Sequence, residues 1–297
     1  MIYADKALGR DLSHYDTITI EDVRGLDFLI CKMGGSENDS HSSMGNPYMD
    51  EKFNGYVQMA WDLDIPCGAY WFVGPRVYLE GGMTTINVQQ CTDENHPVMS
   101  QILRGMHAGT GWKGINFLAF DVEEASKWID LPYKVDPFWM TFYLEDLRGR
   151  IVKRQKAGTF PDIPLGIYSR KSWVDAWDGP DANHNLSTFL ANHPEWFNWT
   201  ANYPRNIPAV PIASVRANWL PLDTWKSSNF TARMADFWQF DDSPDLNLYA
   251  GTPAELRAWC KYKSHAGIPQ PPPTTDPTLA QLAARVAALE AWKEKPL

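Results

Sequence analysis

The chain has 297 residues, of which 44% are hydrophobic, and this length suits one large domain or two small ones. Its formal net charge is −9 and no block of Lys and Arg stands out, so neither nucleic acid nor an anionic membrane is expected as a partner. No run of about 18 apolar residues occurs, which argues against a membrane-spanning helix. The 14 Trp, 12 Tyr and 13 Phe fit either a large core or a groove with stacking surfaces for flat or sugar ligands.

The N-terminal segment MIYADKALGRDLSHYD has no basic region followed by an apolar stretch, so we expect no secretory signal. The four cysteines (Cys31, Cys67, Cys91 and Cys260) include no CxxC pair. Reduced thiols and synthesis in a cytoplasm are expected, although the spacing also allows one disulfide. Neither the cysteines nor the histidines have metal-ligand spacing, so no metal is expected.

Apolar runs of strand length alternate with segments of helical character before residue 190. Strands are predicted at residues 27–33, 66–73, 115–121 and 163–169, and helices at 54–64 and 137–157. The apolar contacts expected on the second helix are Phe138, Phe142, Leu144, Leu147 and Ile151. This alternation indicates a parallel sheet, open or closed into a barrel. No glycine-rich phosphate loop follows any predicted strand, so a dinucleotide-binding sheet is not indicated and no cofactor is expected.

The second half of the chain has a different pattern. Residues 196–203 and 235–240 are strand-like, but the segment between them lacks a strong helical period. Residues 1–264 are predicted to form the main domain and the proline-rich residues 265–277 an extended linker. In residues 278–297, four apolar side chains fall at heptad spacing: Leu279, Leu282, Val286 and Leu289. This predicts a short C-terminal helix, either a coiled coil that joins copies of the chain or a helix on a tether.

The stretch FLAFDVEEASKW, residues 117–128, begins as a buried strand and continues into three acids. Residues two apart on a strand face the same side, so Asp121 and Glu123 would point together into a barrel mouth while Val122 packs. The carboxyl ends of the strands form the catalytic face of parallel α/β barrels. Two carboxylates in a partly dry pocket acquire different pKa values, which glycoside hydrolysis requires. The alternative is a helix N-terminus, where Asp and Glu are also favoured.

Short motifs occur in a fixed order between about Gly9 and Trp259. They are Asp11-Leu-Ser13, Phe28-Leu-Ile-Cys-Lys32, Gly68-Ala-Tyr-Trp-Phe72, Asp121-Val-Glu123, Pro164-Leu-Gly-Ile-Tyr-Ser169, Trp199-Thr-Ala-Asn-Tyr203, Trp238-Gln-Phe240 and Asp245-Leu-Asn247. In this order they resemble the motifs of the glycoside hydrolase family 25 lysozymes, the Chalaropsis-type muramidases that are common as phage endolysins. One departure is His14-Tyr15-Asp16, where the family usually has Gln soon after its D-x-S.

The resemblance implies an α/β fold, an irregular TIM-like (β/α)5(β)3 barrel. It also implies hydrolysis of the β-1,4 bond between N-acetylmuramic acid and N-acetylglucosamine in bacterial peptidoglycan. Glu123 would be the general acid and Asp121 the paired acid, with Asp11 and Asp245 completing an acidic ring. The expected substrate-binding residues are Tyr70, Phe72, Tyr168, Trp199 and Tyr203, with Lys32 either paired with an acid or capping its strand. For Asp11 and Asp245 an ordinary turn is the alternative, and for Trp199 a place in the core.

Three biological roles are compatible with such an enzyme or its barrel. The first is a phage endolysin that stays in the host cytoplasm until a holin-made lesion lets it reach the wall. The second is a virion-associated structural or glycan-binding protein, and the third is a bacterial wall-remodelling enzyme, which would normally need an export signal. The mechanism stays open between a covalent intermediate, direct attack by water and assistance from the substrate's N-acetyl group, with net retention by the third route favoured.

Overall fold

The computed structural model describes residues 5–35, 47–73, 77–80, 83–86, 92–93, 96–100, 114–122, 137–171, 186–203, 235–242 and 244–264. The chain divides into two compact units, Met1–Ser264 and His265–Leu297. The predicted linker and C-terminal helix lie outside the described residues, as do Glu123 and Cys91. Among the helices that are described, none is long and apolar enough to cross a membrane.

Eleven strands occur in the described ranges. They are β1 (Leu8–Leu12), β2 (Phe28–Gly35), β3 (Tyr48–Met49), β4 (Cys67–Phe72), β5 (Val77–Glu80), β6 (Met83–Ile86), β7 (Phe117–Asp121), β8 (Leu165–Arg170), β9 (Phe197–Ala201), β10 (Phe237–Asp242) and β11 (Asp245–Tyr249). Every strand predicted from the sequence is present, with ends shifted by at most two residues.

Eight strands close into a barrel in the order β1, β2, β4, β7, β8, β9, β10, β11, and β11 pairs back onto β1. Neighbouring strands are parallel from β1 to β10, whereas β11 is antiparallel to both β10 and β1. The short β3 pairs antiparallel with the end of β2, and β5 and β6 form a separate hairpin. The predicted parallel sheet is therefore a closed barrel.

The described helices are α1 (Ile20–Val23), α2 (Phe53–Asp62), α3 (Pro137–Lys156), α4 (Leu186–Asn192) and α5 (Pro253–Trp259). Residues 96–100, between β4 and β7, are also helical. Helical backbone thus follows each of β1, β2, β4, β7 and β8, and three further strands complete the barrel. This arrangement confirms the expected (β/α)5(β)3 pattern.

One predicted packing contact on α3 is wrong. Leu144, Leu147 and Ile151 are fully buried, but Phe142 is 53% exposed. The inward stripe takes residues three or four apart, and Tyr143, not Phe142, occupies the position four before Leu147. Phe142 lies two residues from Leu144 and therefore on another side of the helix. The side chain of Phe138 lies outside the described part.

Inside the barrel, one layer pairs glycines with aromatic rings on the neighbouring strand. The register places three glycines directly opposite phenylalanines: Gly9–Phe28, Gly68–Phe117 and Gly166–Phe197. A Cβ on any of these glycines would approach the facing ring within 2.2 to 2.3 Å. The glycines therefore make room for the rings that fill the barrel, close to the amino ends of the parallel strands.

Helix α5 closes the same end of the barrel. Thr252 and Glu255 form its capping box: the Glu255 amide donates to the Thr252 hydroxyl at 3.2 Å, and the Thr252 amide donates to the Glu255 carboxylate at 2.7 Å. At the other end of the helix, the Trp259 ring centroid lies 5.5 Å from that of Phe117 and 5.7 Å from that of Phe237. The polar interior side chains lie at the opposite, carboxyl end of the parallel strands.

Candidate active site

The predicted site residues that are described come together at this carboxyl end. They are Asp11 on β1, Lys32 on β2, Tyr70 and Phe72 on β4, Asp121 on β7, Tyr168 on β8, Trp199 on β9, Tyr203 just after β9 and Asp245 at the start of β11. Because β11 runs antiparallel, its first residue lies at the same end as the last residues of its neighbours. The period of two that turns Phe117 into the barrel also turns Asp121 inward, four residues later.

Asp121 is the last residue of β7 and is only 4% exposed. In the strand ladder it lies between Phe72 of β4 and Tyr168 of β8. Val122 is fully buried in the apolar layer outside the barrel, as predicted. Its amide donates to the Tyr168 carbonyl at 2.9 Å, which fixes the end of the strand. Glu123 lies outside the described residues, so its position beside Asp121 stays a prediction.

Lys32 reaches the mouth from β2 and rests against two aromatic rings. Its Nζ lies 5.2 Å from the centroid of Phe72 and 5.9 Å from that of Tyr48. Both distances are typical of cation–π contacts. Lys32 is only 5% exposed, so a basic side chain is buried at the otherwise acidic mouth.

Asp11 lies within β1 and is held by two side-chain amides. Nε2 of Gln239 donates to the two carboxylate oxygens of Asp11 at 3.0 and 3.2 Å. Nδ2 of Asn247 donates a short hydrogen bond to Oδ1 of Asp11. The same Gln239 nitrogen also donates to Oδ1 of Asp245, at 3.0 Å. One amide group on β10 therefore bridges a carboxylate of β11 and a carboxylate of β1, the next strand beyond β11. We call Asp11, Asp245, Gln239 and Asn247 the acidic cluster.

The environment of Asp11 favours its protonated form. Burial raises the pKa of Asp11 well above its usual value, and the negative charge of Asp245 raises it further. The hydrogen bonds from Asn247 and Gln239 act in the opposite direction because they stabilise the carboxylate. Asp11 is 8% exposed, so solvent does little to offset the cost of its charge.

Three of the predicted substrate-binding residues direct their polar groups at the acidic cluster. The hydroxyls of Tyr168 and Tyr203 donate to Oε1 of Gln239 at 2.7 and 2.8 Å. The indole Nε1 of Trp199 donates to Oδ1 of Asn247 at 2.7 Å. Burial raises the pKa of Tyr203, so its hydroxyl remains a donor above neutral pH. Trp199 is 1% exposed, and its ring therefore lies beneath the surface of the mouth, as its alternative place in the core predicted.

Gln239 and Asn247 belong to the site, although the sequence alone assigns them no role in it. Both residues lie within motifs of the resemblance, Trp238-Gln-Phe240 and Asp245-Leu-Asn247. Each of the two is an amide residue, and they lie on neighbouring antiparallel strands. This pairing of amides is the signal that could have identified them. In the strand ladder Gln239 is paired directly with Asn247, so both side chains enter the barrel together.

The turn after β1, where the motif departs from the family, is fixed by its polar neighbours. The ring Nδ1 of His14 lies 3.0 Å from the fully buried carboxylate of Asp50, and the His14 amide donates to that carboxylate at 2.9 Å. Arg10 pairs with Asp16 at 2.9 Å. His14 is therefore partly buried and held against Asp50. Tyr15, between His14 and Asp16 in the sequence, is 78% exposed.

Across the ranges that are described, no group of three or more His, Cys, Asp and Glu side chains is placed to hold a metal ion. Cys31 and Cys67 are free and buried, with sulfur atoms 3.7 Å apart, and Cys260 is also free.

No protein-family model and no curated protein matches the sequence. Solved structures do match. A muramidase from Trichobolus zukalii is 17% identical, with a TM-score of 0.52 over 86% of this chain and 100% of that one. A GH25 lysozyme from Aspergillus fumigatus is 17% identical, with a TM-score of 0.50 over 86% and 99%. The Clostridium perfringens spore cortex lytic enzyme SleM is 20% identical, with a TM-score of 0.51 over 82% and 67%. The chain therefore has the barrel fold of the glycoside hydrolase family 25 lysozymes.

Proposed function

We propose that the protein is a glycoside hydrolase that cleaves the β-1,4 bond between N-acetylmuramic acid and N-acetylglucosamine in bacterial peptidoglycan. The observation that carries the proposal is the convergence of Asp11, Asp121 and Asp245 at the carboxyl mouth of a barrel with this fold. Aromatic side chains border the same mouth, as a sugar-binding groove needs. The muramidase name of the similar structure from Trichobolus zukalii agrees with the substrate class.

In the proposed reaction, the paired acids divide two tasks. Glu123, two residues beyond Asp121 in sequence, would protonate the leaving oxygen as the general acid. Asp121 would remain ionised to stabilise positive charge at the sugar carbon or to orient the substrate's acetamido group. Net retention with assistance from the N-acetyl group is the route we favour.

The decisive experiment is digestion of purified peptidoglycan followed by mass analysis of the products. A muramidase releases fragments with muramic acid at the reducing end, whereas a glucosaminidase would leave glucosamine there. Glu123→Gln should lower the rate by at least about a hundredfold, because a positioned general acid contributes a factor of about 10² to 10⁴. Equal clearing by the wild type and Glu123→Gln, or no clearing by either, would remove the assignment.

The finer proposal is that the enzyme is a phage endolysin, which reaches the wall from the host cytoplasm through a holin-made lesion. The ordered motifs support it, because they resemble a family that is common among endolysins. Expression in a bacterial cytoplasm with and without a co-expressed holin provides the test. Lysis that needs both proteins supports the endolysin role, and detection of the chain in purified virions supports the virion-associated alternative instead.

A further inference from the structure

The Gln239 side chain is the most completely engaged polar group of the described site. Its oxygen accepts from the hydroxyls of Tyr168 and Tyr203, and its nitrogen donates to Asp11 and Asp245. A primary amide has two N–H donors and one carbonyl acceptor with two lone pairs, and each is used here. The residue is 3% exposed, so these partners and not water satisfy it.

The two carboxylates determine the orientation of this amide. Rotating it by half a turn would place Oε1 against carboxylate oxygens, which only accept hydrogen bonds, whereas the tyrosine hydroxyls can either donate or accept. With the nitrogen between Asp11 and Asp245, the two acceptor oxygens lie roughly 5 Å apart, because the two N–H bonds of an amide diverge. At that distance two carboxylates in a buried site still influence each other's ionisation.

We propose that Gln239 is a positioning residue, whose amide nitrogen sets the separation of Asp11 and Asp245 and couples the ionisation of one to that of the other. Tyr168 and Tyr203 act through it by satisfying its oxygen. The importance of this coupling for hydrolysis rests on the proposed function, whereas the coupling itself does not.

Other charged and titratable groups also face Asp11 and have to be considered. Asp245 approaches from β11, Asp16 from the turn after β1, Tyr203 from the segment after β9 and Cys31 from β2. Of these, Asp245 has the largest effect on Asp11, and it raises the pKa of that carboxyl. Gln239 offsets that effect by donating to both acids, so removing its N–H donors should favour the protonated form of the pair.

The test is a ¹³C NMR titration of the aspartate carboxyl carbons in the intact protein, assigned with Asp11→Asn and Asp245→Asn. In the wild type, the Asp11 and Asp245 carbons should each respond to the same two midpoints, as coupled groups do. Gln239→Met keeps the volume but has no N–H donor, and it should raise the upper midpoint by about one to two pH units. The matched control is Tyr249→Phe, which alters β11 near the closed end of the barrel.

Gln239→Glu provides a second, isosteric variant that keeps acceptors for both tyrosines, and it decides the question if Gln239→Met does not fold. It should raise the upper midpoint further, because it adds a third carboxylate. Unchanged midpoints in a folded Gln239 variant, or independent single-step titrations in the wild type, would overturn the proposal. If peptidoglycan is cleaved, the acid limb of kcat/KM should move with the NMR midpoint. Shifted midpoints without any hydrolysis would refute the proposed function and leave the coupling standing.

Discussion

The indole Nε1 of Trp199 donates a hydrogen bond of 2.7 Å to Oδ1 of Asn247, 48 residues away in the sequence. Asn247 in turn donates to Asp11 through its other amide atom. The fully buried Trp199 thereby fixes which end of the Asn247 amide, oxygen or nitrogen, faces the Asp11 carboxylate. The polar end of a core residue is part of the support for the acidic cluster, even though the ring itself lies below the mouth.

This hydrogen bond predicts that Trp199→Phe and Trp238→Phe cost similar stability but differ in their effect on Asp11. Trp199→Phe leaves the buried Asn247 oxygen without its indole donor, and the free energy of unfolding should fall by about 1–3 kcal/mol from this loss alone. Trp238→Phe is the matched control, because that buried indole donates at 2.9 Å to the main-chain carbonyl of Asn202. Urea unfolding should show losses of similar size for both.

The two tryptophan variants should differ in their effect on Asp11. In Trp199→Phe the Asn247 amide is freer to turn, so the NMR midpoint of Asp11 should move, whereas in Trp238→Phe it should stay in place. An unchanged Asp11 titration in Trp199→Phe would mean that Asn247 needs no help in holding its orientation.

Asp11 should make the protein less stable as the pH rises. Its folded pKa is raised by burial and by Asp245, so the folded state holds this proton more tightly than the unfolded chain does. The resulting stability is fully present below the ordinary aspartate pKa of about 3.9 and is lost as the pH rises through the raised folded value. Asp11→Asn removes the ionisation, so its stability relative to the wild type should increase from pH 4 to pH 8.

Urea unfolding of the wild type and Asp11→Asn at a series of pH values measures how steeply the free energy of unfolding of each changes with pH. The control is Asp162→Asn, because the Asp162 side chain is 82% exposed and its surface ion pair with Lys261 is screened by solvent. A difference between Asp11→Asn and the wild type that is constant with pH would contradict the raised pKa.

Much of the fold could be predicted from the sequence because apolar runs of strand length and segments of helical character are local signals. The strands β2, β4, β7 and β8 and the long helix α3 were found for that reason. Phe142 shows what these local signals cannot decide. An apolar residue in a helix is expected to be buried, but only tertiary packing decides which side of α3 faces the barrel.

The placement of Asp11, Asp121 and Asp245 at the barrel mouth could be predicted because strand ends and ordered motifs indicate it. Gln239 and Asn247 could not be assigned a role on that basis, because their function arises from contacts 228 and 236 residues away, to Asp11. Closure of β11 onto β1 creates those contacts. A neutral amide also lacks the charge that marks a candidate acid or base, so only its partners reveal what it does.

The glycines of the inner layer predict a large penalty for a very small substitution. A Cβ on Gly166 would lie 2.3 Å from the Phe197 ring, so Gly166→Ala should reduce the free energy of unfolding by about 1–3 kcal/mol through overpacking. Gly149→Ala on α3 is the matched control, because apart from the backbone of its own helix nothing lies within 4 Å of the added methyl group. It should be stabilising by about 0.5–1 kcal/mol. Equal and small effects at both positions would contradict the packing of this layer.

Trp259 should matter for the stability of the barrel but not for its chemistry. Its ring contacts the aromatic residues at the closed end, including Phe117 and Phe237, so Trp259→Ala should cost about 2–3 kcal/mol in thermal or urea unfolding. The folded fraction should hydrolyse peptidoglycan at the wild-type rate, because the acids lie at the other end of the strands. Phe142→Ala removes an exposed aromatic ring from α3 and should change stability by less than about 0.5 kcal/mol. A loss of activity in folded Trp259→Ala would show that the closed end influences the mouth, and an equal cost for both variants would contradict the exposure of Phe142.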